Sequence, residues 1–255
     1  MRLSRRHPRY ASLRVRARLA EAMRSGLVVP EGLIAQGRGE AFDYLLGERT
    51  TGSARRASRT AARWLLAARQ PVLSVNGNVA ALASREVAAL QRAVPGLTVE
   101  VNLFHRTPQR ARAVARKLRR AGARGVLGVR PSATIRHLPS DRALVDARGI
   151  ARADLCLIPL EDGDRAEALR RAGKRVISID LNPLSRTSQV ADVPIVDELT
   201  RALRAIASEA RRMPPPRRKA VFPRFDRGRA LGEALGTIDR RLRQAASRPR
   251  RRRPG

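Results

Sequence analysis

Short apolar runs alternate with amphipathic stretches through the middle of the chain. Five runs predict buried strands near residues 71–75, 98–103, 155–158, 176–179 and 193–196. The last run is the weakest, because Pro194 has no N–H for a ladder. A further run at residues 126–129 also predicts a strand. Since parallel strands need crossover connections, the alternation predicts a mostly parallel sheet flanked by helices.

Helical patterns separate these runs. One predicted helix, at residues 53–68, precedes the first strand, and two more cover residues 86–92 and 109–120. Ser53 and Ser84 stand at the starts of the first two, and Thr107 with a following proline starts the third. Asp162 or Asp164 can cap a further helix that reaches residue 171. The pattern therefore predicts strand–helix–strand units.

The chain divides into three parts by pattern. Residues 10–25 and 39–48 are helical in pattern, and a connection that includes the glycine-rich segment 32–39 joins them. We predict one α/β domain at residues 1–210, with this helical element at about 8–50 and the sheet at about 53–210. Residues 211–255 form a basic Pro/Arg-rich C-terminal tail that we expect to be partly disordered, with a polar helix at 228–246.

Charge adds a candidate ligand class to this picture. The 255 residues include 54 Lys+Arg against 22 Asp+Glu, a net charge of +32. The tail carries +13 of it and the body +19. Nucleic-acid binding through the tail is one interpretation, since basic side chains neutralise phosphates. Aromatic residues make up only 3% of the chain, so few side chains could stack on bases.

Other classes are disfavoured. The single cysteine, Cys156, excludes a disulfide scaffold and a cysteine-rich zinc site, and lies in a strand run as an inert core thiol. No apolar run approaches the roughly 18–20 residues that cross a bilayer. The first residues are basic without the apolar stretch of a secretory signal, so we expect a cytoplasmic protein.

Polar segments follow the predicted strands, and ligands bind parallel sheets at that edge. Asn76-Gly77-Asn78 could present backbone amides to phosphate or carboxylate oxygens, or form an ordinary turn. The acidic run at 161–165 could bind a metal or orient an amine, or simply start a helix. Asp180 could take ribose hydroxyls, or form a turn that caps a short helix.

Two weaker signals lie in the helical element. Gly37-Arg38-Gly39 is a fragment of a dinucleotide pattern, which keeps an NAD-dependent enzyme as an alternative. Glu40 and Asp43 could hold Mg²⁺ through water, or favour the positive end of a helix. The Walker A pattern is absent, which disfavours a P-loop phosphotransferase.

Longer segments carry a resemblance. The segments that carry it are 7–16, 32–45, 72–82 (VLSVNGNVAAL), 99–107 (VEVNLFHRT), 159–169 (PLEDGDRAEAL) and 177–192 (ISIDLNPLSRTSQVAD). In this order they resemble the archaeal phosphopantothenate synthetase (4-phosphopantoate–β-alanine ligase) family, over about residues 7–206. The resemblance implies a Rossmann-like three-layer fold, a homodimer, and ATP-dependent condensation of 4-phosphopantoate with β-alanine in coenzyme A synthesis. An acyl-adenylate would form, and AMP and diphosphate would leave.

The resemblance also implies site residues. ATP contacts are expected at Arg16, Arg38, Asp180, Leu181, Asn182, Arg186, Thr187, Glu198 and Leu199. Two positions depart from the family pattern, because Glu198 stands where Asn is expected and Gln36 where His is expected. From the chemistry of the side chains we expect phosphopantoate at Asn76, Asn78 and Arg106. Mg²⁺ is expected with ATP, and the sequence assigns neither a catalytic base nor a metal ligand.

Overall fold

A five-stranded parallel sheet forms the centre of the structure, a computed structural model that describes residues 4, 6–7, 9–214 and 221–247. The strands are β1 (Pro71–Val75), β2 (Thr98–Val101), β3 (Ala133–Thr134), β4 (Leu144–Val145), β5 (Leu155–Pro159), β6 (Arg175–Ile179) and β7 (Val193–Ile195). The sheet order is β2-β1-β5-β6-β7, while β3 and β4 pair antiparallel outside it. Because the chain winds outward in both directions from β1 and β5, the sheet has its switch point between those two strands.

Helices cover both faces of the sheet. They are α1 (Tyr10–Arg24), α2 (Pro30–Leu46), α3 (Gly52–Ala67), α4 (Gly77–Ala93), α5 (Pro108–Arg120), α6 (Gly163–Arg171), α7 (Arg186–Val190), α8 (Leu199–Arg212) and α9 (Arg227–Ala246). Thr107 caps α5 through its side chain, as predicted, by accepting from the Arg110 backbone N–H. In the described part of the chain, no helix is long and apolar enough to cross a membrane.

Alternating strand residues divide the core into two layers. Leu73, Leu157 and Ile177 lie side by side in register and pack against α3, α4 and α8. Val72 and Cys156 point to the other face, where α6 and the β3–β4 segment cover them. All five residues are at most 1% exposed. The predicted α/β three-layer fold is therefore confirmed.

The strand predicted at residues 126–129 is wrong. Leu127 makes an isolated bridge to Glu100, with its N–H donating to the Val99 carbonyl at 2.9 Å. Gly128 then takes a φ of +80°, which ends the extended backbone. The apolar residues here fill the edge of the core and contact the sheet at this bridge without continuing as a strand.

The glycine-rich connection predicted at residues 32–39 is also wrong, because α2 runs through it. Pro30 takes the first helical position, where its missing N–H costs nothing. Gly47 ends the helix at a φ of +91°. Gly32 packs so closely on the Asn78 side chain that a Cβ would collide with the amide oxygen. Tight packing against α4 thus offsets the low helix propensity of glycine.

The helix predicted to start after Ser84 begins earlier, at Gly77, directly after the end of β1. Asn76 caps it by accepting from the Val79 N–H at 3.0 Å. The helix is interrupted at Ala83, whose φ of −134° and ψ of 22° are not helical. Arg18 of α1 donates to the carbonyls of Ala81 and Leu82 next to this break, at 3.1 and 2.6 Å. The Ser84 signal therefore marked an interruption rather than a start.

Residues 221–247 pack against the body. The Trp64 indole N–H donates to the Pro223 carbonyl at 3.0 Å, and its ring lies 5.1 Å from that of Phe222. On α9, Leu231 and Ile238 bury against Leu46 and its neighbours. The predicted polar helix at 228–246 is confirmed, although one of its faces is apolar and buried. Residues 248–255 lie outside the described residues.

One buried acid makes stability depend on pH. Glu100 is fully buried, and burial raises its pKa from 4.5 to about 7 although the Ile150 and Asp146 backbone amides donate to its carboxylate. The native state therefore holds this proton at a pH where the unfolded chain has released it. We expect the free energy of unfolding to fall by roughly 3 kcal/mol as pH rises from about 4.5 to 7, and to change little with this group above that.

Denaturant unfolding at pH 5 and pH 8 checks this expectation. The Glu100→Gln variant has no proton to release at this position, so its stability should fall less between the two values than that of the unchanged chain. Equal falls in both proteins would contradict the assignment, whatever the absolute stability of the variant.

Candidate functional site

A large cleft lies at the carboxyl ends of the strands, at the switch point between β1 and β5. Its volume is about 860 Å³, and α2 forms its outer wall. The sequence-predicted residues that line it are Arg38, Asn76, Asn78, Asp180, Leu181, Asn182, Arg186 and Thr187. This is where a parallel α/β sheet binds ligands. The structure therefore brings most of the predicted site residues to one cavity.

The turn after β1 joins the two sides of the switch point. Asn76 donates from its amide to the Leu160 carbonyl at 2.8 Å, which ties β1 to the end of β5. Asn78 donates to the Gly32 carbonyl at 2.7 Å, which ties α4 to α2. A Cβ on Gly77 would collide with the Leu27 carbonyl oxygen, so the backbone here passes closer than other residues allow. Both asparagine amides thus hold the cleft wall.

The floor of the cleft holds a buried ion network. Glu161 Oε2 accepts from Arg142 Nη1 at 3.0 Å and from Arg165 Nη1, and Arg142 Nε lies 2.8 Å from Glu161 Oε1 in the same ion pair. The Glu161 and Arg165 side chains are each 1% exposed, and that of Arg142 is 7% exposed. Arg165 also donates to Ser74 of β1 at 2.9 Å. The acidic run at 161–165 therefore includes one carboxylate that joins β1, β5 and the β3–β4 segment.

Replacing Glu161 with Gln should destabilise the fold strongly. Two buried guanidinium groups would lose their shared carboxylate, and breaking a buried pair in this way costs about 3–5 kcal/mol. Denaturant unfolding measures the loss. The matched control is Asp164→Asn in the adjoining first turn of α6, which breaks an exposed pair with Arg186 and should cost less than about 1 kcal/mol. Similar losses in the two variants would contradict the interpretation.

Two arginines in the cleft, Arg38 and Arg110, form no ion pair with a carboxylate among the described residues, although Asp180 and Glu31 are near enough to interact with them electrostatically. Arg38 lies exposed on α2 with no described hydrogen bond or ion pair, and its charge acts on Asp180. Arg110 of α5 donates only to carbonyls, those of His105 and Leu27, and its Nε is buried without a described partner. Burial lowers the pKa of Arg110, and the nearby charge of Arg142 lowers it further. Although the lining holds as many acids as arginines, these two unpaired guanidinium groups can each bind an anionic group in the cleft.

The segment after β6 forms the opposite wall. Burial raises the pKa of Asp180, although its Oδ1 accepts from the Asn182 N–H at 2.9 Å. Thr187 donates to the Glu161 carbonyl at 2.6 Å, which ties the start of α7 to the β5 loop. Arg186 is exposed at the rim and pairs with Asp164 at 2.7 Å. The segment therefore presents the Asp180 carboxylate to the cavity, and the guanidinium group of Arg186 at its rim.

Four predicted residues do not line the cleft. Arg16 forms two bonds to Glu40, at 2.9 and 2.8 Å, and so ties α1 to α2. Arg106 donates to the carbonyls of Gly128 and Val129. Glu198 caps α8 by accepting from the Arg201 N–H at 3.0 Å, and Leu199 is buried beneath it. Their assignment to ATP or phosphopantoate stays a prediction.

The acid pair considered for Mg²⁺ is engaged elsewhere. Glu40 binds Arg16 and the Tyr44 hydroxyl, and Asp43 pairs with Arg201 at 2.5 Å. In the part of the chain that the structure describes, no three His, Cys, Asp or Glu side chains group closely enough to hold a metal ion. The described residues therefore do not form a protein-made metal cage.

Sequence reasoning missed two residues of this site, Arg110 and Arg142. Arg110 belongs to a run of arginines on α5 that reads as a solvated helix face, and only the rotation of α5 distinguishes it from Arg112 and Arg116. Arg142 follows the predicted strands by no fixed spacing, because it enters the cleft floor from the 3₁₀ turn at Asp141–Ala143. No local signal in the sequence marks either one.

The fold and the cleft are those of an α/β protein with a candidate ligand site at the carboxyl edge of a parallel sheet. The chain belongs to the phosphopantothenate/pantothenate synthetase family, whose sequence model matches residues 53–241. The match continues through most of α9, beyond residue 206, where the sequence resemblance was expected to end.

Curated relatives share most of the chain. A 4-phosphopantoate–β-alanine ligase of Methanosarcina mazei is 49% identical over 94% of this chain and 96% of its own length. One of Methanospirillum hungatei is 56% identical over 79% of this chain and 82% of its own. One of Thermococcus onnurineus is 47% identical over 94% and 93%. The resemblance read from the segments is therefore confirmed.

Proposed function

We propose that this protein is an ATP-dependent ligase that joins 4-phosphopantoate to β-alanine and forms 4-phosphopantothenate for coenzyme A synthesis. Relatives of this name at 46–56% identity support the substrates. The observation that carries the proposal is the cleft at the β1–β5 switch point, in which Arg38 and Arg110 form no ion pair among the described residues. Both ATP and phosphopantoate carry anionic groups that these two guanidinium groups can bind.

The two arginines lie on different elements, which suggests two subsites. Arg110 lies on α5 beside the start of α4, where we assign the phosphate of phosphopantoate. Arg110 takes the role that sequence reasoning gave to Arg106, because Arg106 donates to backbone carbonyls away from the cleft. Arg38 and Arg186 flank Asp180, where we assign ATP with the Asp180 carboxylate toward its ribose. Charge-assisted bonds from guanidinium to phosphate fix both substrates.

In the first step the phosphopantoate carboxylate oxygen attacks the α-phosphorus of ATP. The bond between the α- and β-phosphates breaks, and diphosphate leaves with its electron pair. The chain contributes orientation and positive charge, because both reactants are anions that repel each other until arginines hold them together. The buried Glu161 network keeps Arg142 in a fixed position below the reacting groups.

In the second step the amine of β-alanine attacks the acyl carbon of the adenylate. The ammonium group first releases one proton to solvent water, so that the neutral amine attacks. AMP leaves with the carboxylate oxygen and the electron pair of the broken C–O bond, and the nitrogen releases a second proton to solvent water as the amide forms. Asp162 is an exposed carboxylate at the cleft whose Oδ2 accepts from Arg142 Nε at 3.2 Å, and it can also attract the ammonium form of β-alanine. Gln36, which also lines the cleft, can donate or accept a hydrogen bond but cannot take either proton.

Two further features belong to the proposal. Mg²⁺ would enter with ATP and would be held mainly by the phosphates, because no group of three His, Cys, Asp or Glu side chains among the described residues could hold it. The protein forms a homodimer, as the family resemblance implies. The exposed apolar side chains of Ile34, Phe104 and Leu184, on the elements around the cleft, could contact the second copy. Light scattering in solution measures the assembly.

Transfer of labelled oxygen tests the adenylate. Phosphopantoate with ¹⁸O in its carboxylate should give AMP that carries one ¹⁸O atom, since the carboxylate oxygen that attacks phosphorus stays with it. Mass spectrometry of the products measures this. Label in free phosphate, together with ADP, would instead indicate an acyl phosphate and would overturn the adenylate step while leaving the amide product to be tested separately.

A further inference from the structure

A second cavity, of about 370 Å³, lies between the start of α3 and the side of α9. It shares no lining residue with the cleft. Four arginines line it, Arg49 and Arg55 from the α2–α3 region and Arg240 and Arg241 from α9. Its other lining residues are Thr50, Thr51, Gly52, Thr237 and Gln244, so no acid is among them.

The four positive charges in this cavity lack counter-charges. In the described part of the chain, none of the four arginines forms an ion pair, whereas Arg56 and Arg243 on the same two helices pair with Glu233 and Asp239. Arg55 and Arg241 donate to backbone carbonyls, at 2.9 and 3.0 Å. Carbonyls fix the position of a guanidinium group without neutralising its charge. The four guanidinium groups therefore repel one another, and a bound anion would relieve this repulsion.

The neutral groups of the cavity also suit an anion. Gln244 places a side-chain amide on its wall that can donate to a phosphate oxygen, whereas the Thr50 and Thr237 hydroxyls already donate to Asp197 Oδ2 and to the Glu233 carbonyl. The cavity opens at the first turn of the sixteen-residue α3, whose positive end adds to the charge of the arginines. A concave cavity of this size suits a small ion, and its wall offers no aromatic side chain on which a base could stack.

We propose that this cavity is a second anion-binding site, which takes a compact phosphate-bearing anion of at least two negative charges, of the diphosphate class. The site is separate from the cleft and does not rest on the function proposed for it. Arginine recognises such an anion through paired N–H donors, and two helices that face each other can bind both of its ends.

Titration calorimetry with inorganic diphosphate in metal-free buffer tests the site. Because diphosphate can also enter the cleft, the titration is made in an Arg38→Ala background as well as in the unchanged chain. In both, the Arg49→Gln/Arg240→Gln double variant should weaken one binding event at least 30-fold. The double variant with lysine at these two positions should keep most of the affinity, since the charges remain.

A matched control removes the same charge elsewhere. Arg85→Gln/Arg116→Gln changes two exposed arginines on α4 and α5 and should weaken the same event less than 3-fold. Equal weakening in the two double variants, or unchanged binding in Arg49→Gln/Arg240→Gln, would overturn the proposal. Tighter binding of a single-stranded oligonucleotide than of diphosphate, lost in the same variant, would overturn it in favour of a nucleic-acid surface. Melting temperatures without ligand verify that each variant is folded.

Discussion

Replacing Arg110 with Gln is expected to lower kcat/KM for 4-phosphopantoate by about 100- to 1000-fold. The guanidinium group is partly buried, is near enough to Arg142 for the two charges to repel, and forms no ion pair among the described residues, so a substrate phosphate would supply its counter-charge. Two charge-assisted hydrogen bonds at the lower end of their usual range, about 1.5–2 kcal/mol each, account for a loss of this size. Steady-state kinetics with phosphopantoate and with pantoate measure it, and the slow rate with pantoate should change little.

Arg106→Gln is the matched control for this change. Arg106 lies close to Arg110 in the sequence and also donates to two carbonyls, but its side chain does not line the cleft. The control should lose stability without a selective loss toward the phosphorylated substrate. If Arg106→Gln lost as much kcat/KM as Arg110→Gln, or if Arg110→Gln slowed both substrates equally, the phosphate would not bind where we propose.

Truncation after Ala210 is expected to destabilise the protein by roughly 5 kcal/mol or more. This change removes α9 and uncovers the apolar cluster of Leu46, Leu181 and Val196, as well as Trp64. Each large apolar side chain that returns to water costs about 1.5–3 kcal/mol, and several do so here. Leu181 also lines the cleft, so activity should fall together with stability.

Truncation after Ser247 is the control for the charge of the tail. It removes five arginines without touching α9, so stability and ligase activity should persist. Thermal unfolding and turnover of the two shortened chains give the comparison. A stable, active protein that ends at Ala210 would show that α9 is dispensable. Loss of activity on removal of residues 248–255 alone would assign the tail a role that the fold does not explain.

The central strands could be predicted because each is a short apolar run between polar turns. Residues 71–75 and 155–159 are buried on both faces, so their composition alone identifies them. The helices α2 and α4 could not be bounded in the same way. In α2 glycines are tolerated because Gly32 packs on Asn78, and in α4 Arg18 of another helix satisfies carbonyls at the break. Both effects come from residues distant in the sequence.

The residues of the cleft likewise divide into those that the sequence predicts and those that it does not. Segments that directly follow strands, such as Asp180 and Asn76, reach it by topology alone. Arg106 precedes α5 and donates to the Gly128 and Val129 carbonyls, whereas Arg110 lies on α5 and lines the cleft. The charge pattern does not fix either placement. The Glu161 network joins Arg142 and Arg165 through a fold that brings the β3–β4 segment to the end of β5.

The most direct test is turnover of the purified protein with 4-phosphopantoate, β-alanine and ATP, with each omitted in turn. Mass spectrometry should find 4-phosphopantothenate only in the complete mixture, with AMP and diphosphate formed in equal amounts, and pantoate should react far more slowly. Formation of ADP without amide product, or equal turnover of pantoate and 4-phosphopantoate, would contradict the proposed function.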